Sequence, residues 1–396
     1  MGVIEQEIFL VAPLRTPIGK FGGTLSTLTA VELGVKSVRA TIERSGIDPA
    51  AVDELIFGNS RQAGVGPNPA RQISIGAGLA HEVPAHTINQ ACGSGMRSIM
   101  NAVDQIRLGN AEVLVAGGTE SMSNTPYMLP RARWGYRMGN AELVDGMYRD
   151  GFQCPLADQL MGRTAETLAE QYEISREEQD EYAVETQRRA GRAWENGWFA
   201  TEVVPVTVEG RRGPTTLDRD EHPRFDATVE GMQKLKAVFR ENGTVHAGNS
   251  SGVTDGASSM IVASRRAVEK HALKPAARLL AYAQAAVDPK VMGIGPVPAT
   301  RKLLSETGRD LSEIELIELN EAFAAQVIAC ERELGFERDR VNVHGGAISL
   351  GHPIGCTGAR ITMTLVHALE THDKSLGLAT LCISGGMGLA LLIERR

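Results

Sequence analysis

The sequence predicts an α/β fold built from two related halves, in which strands alternate with helices. Short apolar runs rich in β-branched residues end at clustered glycines, and amphipathic helical patterns lie between these runs. Such alternation is typical of a mostly parallel sheet with helices on its faces. The 396 residues suffice for two or three packed units around a large core.

An internal repeat supports the duplication. Residues 54–59 match residues 315–320 at four positions. Cys92 lies 33 residues after the end of the first copy, and His352 lies 32 residues after the end of the second. Equivalent turns of two halves can converge at the carboxyl ends of strands, where open α/β sheets bind ligands. We therefore expect Cys92 and His352 to face one pocket.

A segment of different composition separates the two halves. It carries all three tryptophans and many charges, and it contains two helical patterns between about residues 164 and 196, with Ser175 capping the second. We expect an N-terminal half formed by residues 1–120 and 250–271, an inserted loop domain at 121–249 and a C-terminal half at 272–396.

Cys92 is the strongest candidate for chemistry. It follows a β-branched run and precedes Gly93, Gly95 and an amphipathic pattern, so the sequence predicts strand, tight turn and helix. Unpaired N–H groups and the helix dipole at such a helix start favour the reactive thiolate. The alternative is a buried structural cysteine, but the glycines would let a ligand approach the sulfur.

Three other side chains stand at turns that could meet Cys92. His352 lies between glycine and proline, where a neutral imidazole is a suitable base for a thiol. Cys382 ends an apolar strand before a glycine loop, and is either a core residue or a second acid/base. Asn320 ends another strand, and either caps the next helix or stabilises an oxyanion, directly or through a water.

Bulk composition excludes several classes. A net charge of -7 and a pI near 5.8 argue against nucleic-acid binding. Five widely spaced cysteines without a C-x-x-C pair predict neither disulfides nor a metal site, and favour a reducing compartment. No signal peptide pattern is visible, and the longest apolar stretch, residues 378–393, reads as two strands joined by a glycine turn. We expect a cytoplasmic protein without a membrane partner.

Taken together, these motifs resemble the thiolases, and within them the acetoacetyl-CoA thiolases (acetyl-CoA acetyltransferases), over nearly the whole chain. The shared motifs, in order, are Arg15-Thr16-Pro17, the Cys92 turn, Gly117-Gly118 with Glu120-Ser121-Met122-Ser123, Gly248-Asn249-Ser250-Ser251-Gly252, Asn320-Glu321-Ala322-Phe323, Gly351-His352-Pro353 and the Cys382 loop. The resemblance implies duplicated βαβαβ halves in a five-layered α-β-α-β-α core.

The resemblance also implies a ping-pong acyl transfer. Cys92 would attack an acyl-CoA thioester while His352 takes its proton, and CoA would leave. Cys382, as thiolate, would then remove the α-proton of a second acetyl-CoA, whose carbanion attacks the acyl carbon to give acetoacetyl-CoA. Asn320 and His352 would stabilise the enolate, and the backbone N–H groups of Cys92 and Ser384 the acyl intermediate.

Binding residues carry over from the same resemblance. Arg224 and Ser251 are expected to contact CoA, which is a substrate, so that no bound cofactor is expected. The residues expected to line the pantetheine and acyl channel are Ala247, Phe239, Phe323, Met161 and Leu160. The family usually forms dimers or tetramers, which we expect here as homodimer or homotetramer.

Four positions depart from the family pattern. Leu160 replaces a histidine found in many short-chain members, which removes a polar contact near the thioester. His344 stands in place of asparagine, Cys356 in place of a small residue, and Ser384 in place of glycine. If that glycine has a positive φ, Ser384 would be strained there.

Three functions remain open from the sequence. The first is acetyl-CoA C-acetyltransferase, and the second is a broader-chain 3-oxoacyl-CoA thiolase of fatty-acid β-oxidation. The third is a CoA-binding or assembly protein without turnover, against which the presence of Cys92, His352 and Cys382 argues. A decarboxylating condensing enzyme would pair its cysteine with two histidines, or with histidine and asparagine, rather than with Cys382.

Overall fold

A single ten-stranded sheet forms the centre of the protein. The computed structural model describes residues 2–211 and 213–396. Nine strands form the main path: β1 (Gly2–Arg15), β2 (Glu54–Gly58), β3 (Ala85–Ile88), β4 (Val113–Ser121), β5 (Thr254–Ser264), β6 (Pro275–Ala286), β7 (Leu316–Leu319), β8 (Leu376–Ile383) and β9 (Met387–Arg395). Their order is β7-β8-β9-β6-β1-β5-β4-β2-β3, and Gly19–Lys20 pairs with β5.

The expectation of a mostly parallel sheet is wrong. Strand β2 runs parallel to β3 and β4, and β7 runs parallel to β8. The remaining neighbours on the path are antiparallel among the described residues. The glycine turn between β8 and β9 makes that pair antiparallel, since two parallel neighbours need a long crossover connection.

The helices form three layers around the sheet. Their bounds are α1 (Ala30–Ser45), α2 (Pro69–Ala77), α3 (Ser94–Arg107), α4 (Met161–Gln171), α5 (Arg176–Glu195), α6 (Val229–Gln233), α7 (Arg265–Lys270), α8 (Pro296–Thr307), α9 (Ala324–Leu334), α10 (Ala347–Leu350) and α11 (Ile354–Thr371). Apolar residues of α3 and α11 pack against strands of both halves. Helices α1 and α2 cover the other face of the N-terminal strands, and α8 and α9 cover the other face of the C-terminal strands. The N-terminal and C-terminal parts of the sheet thus form the two β layers on either side of α3 and α11, which confirms the five layers.

Two glycines let the central helices cross closely. A Cβ built on Gly95 of α3 would lie 2.7 Å from the backbone nitrogen of Ala359 in α11. A Cβ on Gly358 of α11 would overlap the backbone of Met96 in α3. The two helix starts, and therefore the turns that precede them, are held next to each other.

The residues between β4 and β5 form short hairpins and helices α4 to α6. The hairpins pair Tyr127–Met128 with Val144–Asp145, Gln153–Cys154 with Gln159–Leu160, and Val206–Val208 with Thr215–Leu217. The two predicted helices are α4 and α5, and the Ser175 hydroxyl accepts the Glu178 N–H as predicted. None of the helices in the described part of the chain is long and apolar enough to cross a bilayer.

The repeat is confirmed in three dimensions. Asn59 directly follows β2 and Asn320 directly follows β7. Cys92 lies two residues before α3, and His352 lies two residues before α11. The Cys92 turn and the His352 turn therefore precede the two central helices. Because these helices cross closely, the two turns lie next to each other.

Candidate active site

One cavity of about 100 Å³ contains most of the predicted chemical groups. Cys92, His352, Cys382 and Ser384 all line it. The other lining residues are Arg61, Ala91, Asp150, Gly151, Phe152, Met161, Ser251, Met292, Ala322, Phe323 and Ile354. The Cys92 turn, the His352 turn and the β8–β9 turn thus meet at one mainly apolar pocket.

A strained turn presents Cys92 to this cavity. Ala91 has φ 45°, a left-handed conformation that is unusual for a residue with a Cβ. The Ser94 hydroxyl donates to the Ala91 carbonyl at 2.7 Å and accepts the Gln90 N–H at 2.9 Å, which holds the turn. A Cβ on Gly93 would lie 2.5 Å from the Ile383 side chain, so the glycine lets the turn pack against β8 without displacing that side chain.

Burial decides the protonation of Cys92. It raises the pKa of the thiol, although hydrogen bonds from the backbone N–H groups of Ser384 and Cys92 and the charge of Arg61 act in the opposite direction. Desolvation therefore outweighs the helix start, which by itself favours the thiolate. The sulfur needs a base to become a nucleophile.

His352 is poised to be that base. Its Nδ1 lies 2.6 Å from the Thr357 hydroxyl, which donates its own proton to the Pro353 carbonyl at 3.0 Å. The hydroxyl must therefore accept from Nδ1–H, which leaves Nε2 unprotonated. Nε2 is buried without a partner among the described residues. Burial, followed by the charges of Arg360 and Arg61, lowers the His352 pKa to about 3, so the ring is neutral.

Cys382 lies at the end of β8 in an apolar environment. It packs with Met292, Ala322 and Phe323. Burial, and then the proximity of Cys92, raise the Cys382 pKa well above its usual value. Cys382 therefore rests as a thiol, and the thiolate that the family mechanism requires has to be formed during the reaction cycle.

Asn320 is fully buried, and its side-chain amide has no hydrogen-bond partner among the described residues. Its backbone N–H donates to the Thr380 carbonyl at 3.0 Å, but neither side-chain atom has a partner in the described part of the chain. Helix α9 begins at Ala324 after Phe323 and has no side-chain cap, which removes the capping alternative. The amide is thus free to bind a water or an oxyanion.

The expected binding residues divide into two groups. Met161, Ser251 and Phe323 line the cavity. Phe239 packs edge-on against Phe323 with ring centroids 6.1 Å apart, and Leu160 directly precedes Met161 at the start of α4. Neither Phe239 nor Leu160 lines the cavity itself. Arg224 and Ala247 do not line it either, and both are exposed on the surface.

The departures from the family pattern are accommodated. Ser384 has no positive φ, because Gly385 and Gly386 take up the turn at φ 90° and 85°, so the predicted strain is absent. Cys356 is buried with its pKa raised to about 12 by burial, as expected for an inert packing residue. His344 lies away from the cavity, stacked on Trp198 at 4.9 Å.

Two buried carboxylates were not singled out from the sequence. Glu120 accepts hydrogen bonds from the backbone N–H groups of Ser60, Arg61 and Gly355. Glu321 accepts from Tyr182, Thr186 and Asn342 side chains and from the Ile348 N–H. Each carboxylate ties several segments together beside the cavity. Both lie in quoted motifs, but nothing local distinguishes them from surface acids.

The arginine in the cavity wall, Arg61, was also missed. It belongs to no motif that the sequence analysis identified. The described residues contain no cluster of three or more His, Cys, Asp or Glu side chains that could hold a metal ion.

Comparison with known families fits this geometry. The Thiolase, N-terminal domain model matches residues 8–266, and the Thiolase, C-terminal domain model matches residues 273–395. The chain belongs to the thiolase family. It is 48% identical over 391 residues to the acetyl-CoA acetyltransferase of Escherichia coli (strain K12), covering 98% of this chain and 99% of that protein. It is 49% identical to that of Pseudomonas aeruginosa, with 98% and 100% covered.

Solved thiolase structures have the same fold. The Bacillus anthracis acetyl-CoA acetyltransferase superposes on this thiolase with a TM-score of 0.97 at 45% identity, covering 99% of each chain. Human mitochondrial 3-ketoacyl-CoA thiolase superposes with a TM-score of 0.96 at 41% identity, again covering 99% of each chain. A structure of the human protein in complex with CoA gives 0.96 at 40% identity, with 100% of this chain and 99% of that chain covered.

Proposed function

We propose that this thiolase is an acetyl-CoA C-acetyltransferase that reversibly condenses two acetyl-CoA into acetoacetyl-CoA and CoA. The observation that carries the proposal is the single cavity shared by Cys92, His352 and Cys382. The relatives named acetyl-CoA acetyltransferase, at 48% and 49% identity over nearly full length, support the acetyl substrate.

In the first half-reaction His352 takes the Cys92 proton on Nε2, and the sulfur attacks the thioester carbonyl. The hydrogen bonds from the N–H groups of Ser384 and Cys92 to this sulfur make them suitable donors to the oxygen that becomes negative. CoA then leaves with the proton from His352, and the acetyl group stays on Cys92.

In the second half-reaction a new acetyl-CoA enters, Cys382 gives its proton to His352, and the Cys382 thiolate takes the α-proton of the acetyl-CoA. The resulting enolate attacks the acetyl carbon on Cys92, and the Cys92 sulfur leaves and takes the proton from His352. The uncommitted amide of Asn320, through a water, and His352 are the groups we assign to the enolate oxygen. The raised Cys382 pKa makes its thiolate a strong base once formed.

Binding of CoA falls to the residues of the cavity mouth in this proposal. Ser251 and Met161 are assigned to the pantetheine chain, with Phe239 and Phe323 beside it, and Leu160 and Ala247 near its ends. Arg224 is exposed, as a contact to the charged adenine nucleotide end requires. We keep the division into residues 1–120 with 250–271, 121–249 and 272–396 as part of this proposal, with the middle segment covering CoA.

The second candidate is a 3-oxoacyl-CoA thiolase with a broader chain-length range. Leu160 favours it, since an apolar side chain stands beside Met161 where many short-chain members carry histidine. The similarity to the human mitochondrial 3-ketoacyl-CoA thiolase agrees with it. The small cavity, of about 100 Å³, favours the acetyl enzyme instead.

We also propose a homodimer or homotetramer in the cytoplasm. Large apolar side chains are exposed along residues 127–156, among them Trp134 at 86% and Met138 at 98%, which fits burial against another subunit. All five cysteines are free thiols, which fits a reducing compartment.

Steady-state thiolysis across a chain-length series tests the function. We expect the highest kcat/KM with acetoacetyl-CoA and a steep fall with longer 3-oxoacyl-CoA. A flat profile would support the broader thiolase. Absence of turnover with every substrate, in protein that binds CoA, would support the non-catalytic alternative. The Cys92→Ala variant supplies the background rate.

A further inference from the structure

Arg61 is a buried cation without a counter-ion contact. The residue is only 5% exposed, and its Nη1 donates to the Ser60 hydroxyl at 3.1 Å. Nε and Nη2 are both buried and have no hydrogen-bond partner among the described residues. These two nitrogens form one edge of the guanidinium, the edge that matches the two oxygens of a carboxylate.

Arg61 lines two cavities. One is the 100 Å³ cavity of Cys92. The other, of about 210 Å³, is lined by Ser60, Arg61, Gln62, Ala63, Asn89, Thr125, Gly146 and Asp150, which are mostly polar. Arg61 and Asp150 belong to both linings. A chain growing from Cys92 toward Arg61 would therefore pass from an apolar pocket to a polar one.

The position of Arg61 is built into the fold. The Glu120 carboxylate accepts a hydrogen bond from the backbone N–H of Arg61 at 3.0 Å. The other hydrogen bonds to this carboxylate come from backbone N–H groups and from the Asn59 side chain, and none comes from the Arg61 guanidinium. On the other side, the Phe152 ring centroid lies 5.8 Å from the guanidinium carbon, and the Gly151 backbone lies so close that a Cβ there would overlap Nη2. Gly151 and Phe152 belong to one π-helical turn, Tyr148–Phe152.

We propose that Arg61 recognises a carboxylate at the far end of the acyl group on Cys92, so that this thiolase accepts 3-oxoacyl-CoA substrates that carry a terminal carboxylate. The inference rests on the proposed thiolase function and extends its substrate class. A buried, unpaired guanidinium is costly, and a substrate carboxylate would satisfy both free nitrogens at once.

The chemistry at the sulfur is unchanged by the distal group. Cys92 gives its proton to His352 and attacks the 3-oxo carbon, the bond between C2 and C3 breaks, and the acetyl-CoA enolate that leaves is protonated by Cys382, which then recovers a proton from His352. The carboxyacyl group passes from Cys92 to the sulfur of free CoA, whose proton His352 takes and returns to the Cys92 sulfur. Asp150 lines both cavities together with Arg61, and its negative charge would repel a substrate carboxylate there.

The test compares two six-carbon 3-oxoacyl-CoA substrates that differ only at the end of the chain, one a carboxylate and the other a methyl group. In the wild type we expect kcat/KM to be about tenfold or more higher with the carboxylate, mostly through KM. In Arg61→Leu we expect this ratio to fall to about one or below, whatever the absolute rates. Asp150→Asn should increase it.

Arg149→Leu is the matched control, because Arg149 is an exposed cation on the same turn and does not line either cavity. Its ratio should equal that of the wild type. A wild-type ratio of one, with acetoacetyl-CoA still cleaved, would overturn the inference and leave the proposed function intact. An equal loss on both substrates in Arg61→Leu, with the alkylation pH profile of Cys92 shifted upward, would also overturn it, since Arg61 would then act on the thiol. Loss of turnover with every substrate in the wild type would contradict the function itself.

Discussion

Glu120 accepts a hydrogen bond from the backbone N–H of Gly355 at 2.9 Å, across the boundary between the two halves. The same carboxylate accepts the Arg61 N–H at 3.0 Å. It therefore connects the loop after β2, the end of β4 and the start of α11, which follows the His352 turn. Burial raises the pKa of Glu120, and these donors, with the Arg61 charge, oppose that rise.

The Glu120→Gln variant should be destabilised by about 2–4 kcal/mol. The amide nitrogen of Gln would face N–H donors, and a buried donor would be left without an acceptor. Urea unfolding measures the effect. Glu82 is exposed, so Glu82→Gln should change the free energy of unfolding by less than about 0.5 kcal/mol. Equal stability of the two variants would contradict a structural role for Glu120.

The hydrogen bond between His352 and Thr357 should be needed for catalysis. Without the Thr357 hydroxyl, Nδ1 loses the acceptor that sets the tautomer, so we expect Thr357→Val to lower kcat about 10²-fold with little change in KM. Thr362→Val is the control, because Thr362 lies on the same helix and donates to the Gly358 carbonyl. A wild-type kcat in Thr357→Val would show that the tautomer is set by another group.

The two cavity cysteines should be separable by half-reaction. Cys382→Ala should still be acetylated by acetyl-CoA on Cys92, because acylation needs only Cys92 and His352 in our proposal. Condensation should fall by about 10²–10⁴-fold, since no group remains to take the α-proton. Peptide mapping by mass spectrometry locates the acetyl group. Acetylation of Cys154 or Cys356 in place of Cys92 would refute the nucleophile assignment.

Stability should fall as the pH is lowered from about 6.5 toward 3. Burial lowers the pKa of both His344 and His352 to about 3, while the unfolded chain titrates near the ordinary 6.5. Between these two pH values the unfolded state binds more protons than the folded state. The contribution of the two histidines to the free energy of unfolding is therefore fully present above pH 6.5 and is lost as the pH falls toward 3. His344→Asn removes one group, and its Tm should fall less between pH 7 and 5.

His81→Asn is the control for that experiment, because His81 is exposed. The Tm of this variant should depend on pH in the same way as the Tm of the wild type. If His344→Asn has the same dependence as the wild type, His344 does not stay neutral in the folded protein.

The contact between α3 and α11 should not tolerate a methyl group. In Gly95→Ala the new Cβ would meet the Ala359 nitrogen at 2.7 Å, so we expect a loss of about 1–3 kcal/mol despite the better helix propensity of alanine. Gly191 of α5 is the control, since its nearest neighbour is the exposed Phe225 ring at 3.2 Å. Gly191→Ala should be neutral or stabilising by up to about 1 kcal/mol when both are measured by thermal unfolding.

Much of the architecture was predictable because it is local. The turn at Cys92, the turn at His352 and the helices that follow them are encoded by neighbouring glycines and by apolar periodicity. The repeat then related the two turns without any long-range information. The direction of β5 and β6 was not predictable in this way, because it depends on pairing between strands far apart in the chain.

The amino-acid sequence by itself determined the family, the duplicated fold and the Cys92, His352 and Cys382 groups of the cavity. Each of these is encoded by short motifs that follow one another along the chain in a recognisable order. Only the tertiary structure decided the charge on those groups. Burial keeps Cys92 and Cys382 as thiols and His352 neutral, and this depends on what the rest of the chain packs around them. The place of Arg61 was decided in the same way, since its neighbours Glu120 and Gly151 are distant in sequence and meet it only when the loop after β2, the end of β4 and the segment after β4 pack together.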